Sequence, residues 1–167
     1  MQMGKECLLS CAWLLLCCIA KGQPALADAQ LKTLRGSQVS YSSLTQKDSL
    51  ILVCFWSTSS EESINELNAI SANLEKWKAM TPFRMLAISL DEGKAVNKIK
   101  PMANVNDWTF DILVDFNSDL RNALHSNNLP QSMIIRRGRI VYEQSGYQPG
   151  SEAYLMQRML AIVQGKS

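Results

Sequence analysis

The spacing of apolar positions along the chain changes character several times, and each change predicts an element. Between Asp28 and about Ser49, short apolar-polar alternation interrupted at Gly36 predicts a small hairpin, Leu31 to Leu34 against Gln38 to Tyr41. Leu50 to Trp56 is an unbroken apolar run rich in β-branched and aromatic residues, the pattern of a strand buried on both faces. After Ser57-Thr58-Ser59-Ser60 the period lengthens. Ile64, Leu67, Ile70, Leu74 and Trp77 recur three or four apart, which predicts an amphipathic helix ending near Met80, ahead of Pro82. Phe83 to Leu90 reads as a second buried strand, and Ala95 to Met102 as a shorter helix with Lys94, Lys98 and Lys100 on its wet side. Strand, helix, strand in this order implies a parallel pair joined by a crossover.

Phe110 to Val114 is another predicted strand and Ser118 to Leu124 a short helix. Ser132 to Ile135 and Ile140 to Glu143 flank Arg136-Arg137-Gly138-Arg139, a turn where glycine suits a tight hairpin. Ser151 to Val163 closes the chain as a helix with Tyr154, Leu155, Met159 and Ile162 expected on one face. The sum is an α/β fold, a central mixed β-sheet flanked by helices with an N-terminal β-hairpin.

The first residues follow a different logic. Lys5 precedes an apolar run from Cys7 to Ala20, and Ala25-Leu26-Ala27 supplies a small-x-small cleavage pattern. This predicts a signal peptide over 1–27, cleavage after Ala27, a single domain over 28–167, and a periplasmic or exported location. About fourteen apolar residues fall short of the roughly twenty that span a bilayer, and no later segment comes closer. Leu8-Leu9-Ser10-Cys11 has the look of a lipidation box, but the apolar run before Cys11 is too short, so lipid anchoring is not expected.

Removing the leader leaves fifteen basic against fourteen acidic residues. Such a balance supplies no electrostatic reason to expect nucleic acid or an anionic membrane as partner. Cys7, Cys11, Cys17 and Cys18 leave with the leader and only Cys54 remains, so no intramolecular disulfide can form. With His125 as the sole histidine, a Cys/His zinc site cannot be assembled either.

The order of elements and the segments LILVCFWSTSSEES and LPQSMIIRRGRIVYEQSGY resemble the thioredoxin superfamily, in particular the exported TlpA-like thiol-disulfide oxidoreductases. In that family a buried strand leads into Phe-Trp-x-x-Trp-Cys-x-x-Cys at the start of a helix. Here Phe55, Trp56 and Thr58 match, Ser59 stands at the second tryptophan, and Ser60 and Ser63 stand at the two cysteines. Leu129-Pro130 matches the family's cis-proline loop. Cys54 occupies the strand position where relatives often carry a buried Asp or Asn. The resemblance implies a thioredoxin-like fold without the thiols of the usual chemistry, and no cofactor or metal.

Serine cannot stand in for the lost cysteines, because its hydroxyl stays protonated at neutral pH without an adjacent base. No orienting acid or oxyanion signature accompanies His125, so a Ser-His hydrolase is not expected. Ser59 and Glu62 have the spacing of a capping box, and Glu61 with Glu62 would stabilise a helix start while opposing a thiolate there. Cys54, inside an apolar strand, is expected to be a small core residue. Arg136, Arg137 and Arg139 are expected to solvate a hairpin, and Trp56, Trp77 and Trp108 to pack.

These readings favour a non-catalytic module that binds a peptide or protein partner in the envelope. The resemblance places its groove at Trp56, Thr58, Ser60, Leu129, Pro130 and Gln131, where an extended peptide could add as a strand. Two alternatives stand beside it: a thiol-disulfide oxidoreductase acting through Cys54 or with a partner's thiols, and a structural subunit of an envelope complex.

Overall fold

A computed structural model describes residues 29–45, 50–126 and 128–165. The leader and cleavage point expected from the sequence, with Cys7, Cys11, Cys17 and Cys18, lie outside the described residues. Seven strands form one sheet in the order β2-β1-β5-β4-β3-β6-β7. They are β1 Gln30–Thr33, β2 Gln38–Ser40, β3 Leu50–Trp56, β4 Arg84–Ser89, β5 Asp111–Val114, β6 Gln131–Arg136 and β7 Arg139–Ser145. β3, β4 and β5 run parallel; β6 is antiparallel to β3, and β1 to β5, making the sheet mixed. This is the thioredoxin-like arrangement expected from the sequence, N-terminal hairpin included.

Period-two alternation in the central strands divides the interior into two cores. Leu50, Leu52, Cys54 and Trp56 of β3 face one side, where α2 (Glu61–Met80), α3 (Val96–Val105) and α5 (Glu152–Val163) pack. Ile51, Val53 and Phe55 face the other, with Tyr41 of the five-residue α1 (Tyr41–Thr45) and Leu120 of α4 (Asp119–Leu124). Every residue of β3 is buried, which is why its sequence shows no polar alternation. α2 contributes Leu67, Ile70, Leu74 and Trp77 from one stripe, and full burial of each such side chain contributes about 1.5–3 kcal/mol.

Three expectations need correcting. Tyr154, expected on the packed face of α5, is exposed, while Leu155, Met156 and Met159 are buried; the phenol end of the tyrosine tolerates water. Tyr41, expected to end a strand, begins α1 instead. Arg136 does more than solvate its hairpin: its guanidinium donates to the Ile162 carbonyl at 2.6 Å, in the last turn of α5, where unpaired carbonyls favour a cation. The turn itself has positive φ at Arg137 and Gly138 (52° and 72°), as a two-residue hairpin turn requires.

Candidate functional site

β3 delivers Trp56 to the carboxyl edge of the sheet, and the chain must then turn into α2 within four residues. Asp91, just beyond β4, holds that turn. Its carboxylate accepts from Thr58 N (2.9 Å), Thr58 Oγ1 (2.9 Å), Ser57 Oγ (3.1 Å) and Ser89 Oγ (2.8 Å). Ser59 Oγ lies 2.8 Å from Ser57 Oγ. Asp91 is buried, so removing it would leave several donors unsatisfied.

The helix start differs from the expected capping box. Ser60, not Ser59, is the N-cap: its backbone is extended and its Oγ accepts from Ser63 N at 3.2 Å. Ser63 Oγ also donates to Ser60 Oγ at 2.7 Å. The run of serines offered two registers for the cap, and the one chosen places Glu61 and Glu62 at the first two helical positions, near the positive end of the helix dipole. Ser63 is fully buried and Ser60 half-buried. His125, which ends α4 in a left-handed conformation, is exposed; among the described residues no hydrogen bond links it to either serine.

Directly behind these serines lies a buried polar cluster that sequence reasoning missed. The β3–β6 register sets Cys54 opposite Ser132, and Glu66, one turn into α2 from Ser63, reaches the same point. Ser132 Oγ is 3.0 Å from both Cys54 Sγ and Glu66 Oε2. One hydroxyl proton serves one acceptor at a time. An ionised Glu66 therefore claims it over the weaker sulfur acceptor.

Burial lifts the Glu66 pKa from the 4.5 of a free carboxyl to about 7, with Glu152 adding to the rise and the Ser132 hydrogen bond opposing it. Burial also pushes the Cys54 thiol well above its ordinary value, and the Glu66 charge pushes it further. A fully buried thiol kept protonated in this way is a poor nucleophile. Cys54 is thus in the core, as expected, but as a member of a polar cluster and not as a plain apolar filler.

The register also brings the groove residues together. Phe55 pairs with Gln131, so the next position along places Trp56 level with Pro130, behind a Leu129-Pro130 peptide that is cis. Trp56 is completely enclosed, its ring edge-on to Trp108 with centroids 5.1 Å apart. It can shape the groove only from beneath. Pro130 and Gln131 are buried as well, while Thr58, Ser60 and Leu129 are half-exposed. Gly146 N donates to the Pro130 carbonyl at 2.8 Å, and Gln131 Nε2 donates to Glu143. Beside the start of α2, a concavity of about 450 Å³ opens between Glu62 and the segment from Gln144 to Tyr154.

Among the described residues no group of three or more His, Cys, Asp or Glu side chains could hold a metal ion, and no helix is long and apolar enough to cross a membrane.

A model of the AhpC/TSA family matches residues 22–146. An uncharacterized thioredoxin-like protein from Porphyromonas gingivalis is 30% identical, over 86% of this chain and 94% of that one, with a TM-score of 0.74. A Chlorobium tepidum protein named as the thiol:disulfide interchange protein DsbE is 19% identical over 80% and 92%, with a TM-score of 0.68. StoA from Bacillus subtilis is 17% identical over 80% and 98%, with a TM-score of 0.64. At these lower identities the likeness concerns the fold. No curated protein matches the sequence.

Proposed function

From the premise that this chain belongs to the AhpC/TSA family, with a thioredoxin-like fold and thiol-disulfide oxidoreductases among its relatives, we propose that it is a non-catalytic, redox-inactive binding module. The observation that carries the reading is the fate of the helix start. Where a reactive thiolate would sit, the Ser60 hydroxyl receives hydrogen bonds from both the amide and the hydroxyl of Ser63, and two carboxylates follow it. The arrangement stabilises a helix end, and Cys54, the one thiol among the described residues, is sealed inside the sheet.

The proposed function is capture of an extended peptide or protein segment at the edge formed by Leu129, with Thr58 and Ser60 across from it and Trp56, Pro130 and Gln131 as the supporting layer. Backbone pairing of this kind needs no thiol. We further propose that the chain is a TlpA-like protein made with a signal peptide over 1–27, and acts as a domain of 28–167 in the periplasm or beyond. To test the groove, partners crosslinked in the native envelope would be compared for wild type, Leu129→Arg and Pro130→Ala, each checked for an unchanged unfolding midpoint. Loss of the same partner from both variants supports the reading. Equal recovery of that partner by all three counts against it.

A further inference from the structure

Toward the β1–β2 edge of the sheet a cavity of about 730 Å³ lies between the β1–β2 hairpin, the loop after β4, α3 and the end of β5. Its volume falls within the range of sites that enclose small molecules. Leu34, Val96, Val114 and Phe116 give an apolar surface, and Lys32 and Lys100 are among the residues around it.

The two acids at the same cavity have partners of their own, Glu92 a cation and Asp91 neutral donors that leave its charge in place. Asp91 is saturated by Ser57, Thr58 and Ser89. Glu92 accepts from Ser118 Oγ at 2.9 Å and lies 3.9 Å from Arg121. Lys32 is half-buried, and its Nζ sits 3.9 Å above the Phe116 ring; among the described residues no carboxylate stands within 4 Å of it. An ammonium held against an aromatic face, partly out of water and without a counter-ion, retains most of its capacity to attract an anion.

We propose that this cavity binds a small organic anion, with an apolar body against Leu34, Val96, Val114 and Phe116 and a carboxylate or sulfonate meeting Lys32 and Lys100. The site is separate from the peptide groove and stands or falls independently of it. Its one link to that edge is Asp91, which lines the cavity and holds Thr58.

The test is a fluorescence titration of the purified protein with anilinonaphthalene sulfonate, followed by displacement with decanoate and, separately, with decanol. One saturable site is expected, weakened by salt, from which decanoate displaces the dye and decanol does not. Lys32→Gln with Lys100→Gln should weaken the dye about tenfold, the scale of two lost charge contacts. Arg158→Gln, at the far edge of the sheet beside Tyr142 on β7, should leave it unchanged. Absence of saturable binding, equal displacement by decanol, or sensitivity to Arg158→Gln in place of the lysines would overturn the proposal.

Discussion

Replacing Glu66 by glutamine should remove one identifiable part of the fold's pH dependence. In the folded protein this carboxyl holds its proton to about pH 7, against 4.5 when free. The folded state therefore binds more protons than the unfolded chain between these values, and stability falls as pH rises through that window. Below it both states are protonated and the group is neutral in its effect; above it the cost is constant. At 1.36 kcal/mol per unit, the full separation corresponds to a destabilisation of about 3 kcal/mol. Between about pH 5 and about pH 8 roughly 2.5 kcal/mol of this should be expressed. A neutral amide keeps an oxygen for the Ser132 hydroxyl and removes the charge. Urea unfolding at both pH values should show wild type losing more stability than Glu66→Gln on going to the higher pH, each with an unchanged slope. Subtracting the two curves cancels the other titrating groups, Asp115 among them, whose carboxyl burial also raises. Parallel curves for the two proteins would refute the assigned environment of Glu66.

Ser60→Ala should cost about 1 kcal/mol through loss of the N-cap, whereas Ser59→Ala should cost only a few tenths; chemical denaturation compares them, and the reverse ranking would restore the capping box expected from the sequence. Asp91→Ala should be more damaging, by about 2–4 kcal/mol, because it strands the donors of Ser57, Thr58 and Ser89 in a buried turn. Asp91→Asn should be milder, since one amide oxygen can still accept. Cys54 should react with a bulky thiol reagent far more slowly in the native protein than in urea, and comparable rates would place the thiol outside the core.

The strongest periodic signals in the sequence were also the most faithful to the structure. The apolar run of β3 matches its seven residues because burial on both faces leaves no room for polar substitution, and the stripe of α2 ends where Pro82 approaches. The helix cap was displaced by one residue because Ser59 and Ser60 offer similar side chains to the same turn, and only the backbone conformation of the turn chooses between them. Glu66 went unnoticed as an interior residue, although it lies three positions from Ser63 and next to Leu67, on the stripe the helix buries. A charged side chain is ordinarily read as solvent-facing, and its partner, Ser132, is 66 residues away in sequence. Asp91 follows the same pattern: a carboxylate at the end of a buried strand gathers donors from a turn that only strand order brings near. α1 is too short for periodicity to register, and Tyr154 shows that an aromatic on an apolar face can still be its wet margin.

On the proposed function, the capped start of α2 carries no thiol chemistry. The most direct test is reduction of insulin disulfides, followed as precipitation in dithiothreitol, with wild type and Cys54→Ser. Rates at the dithiothreitol background for both proteins are predicted. Turnover by wild type that disappears in Cys54→Ser would contradict the account.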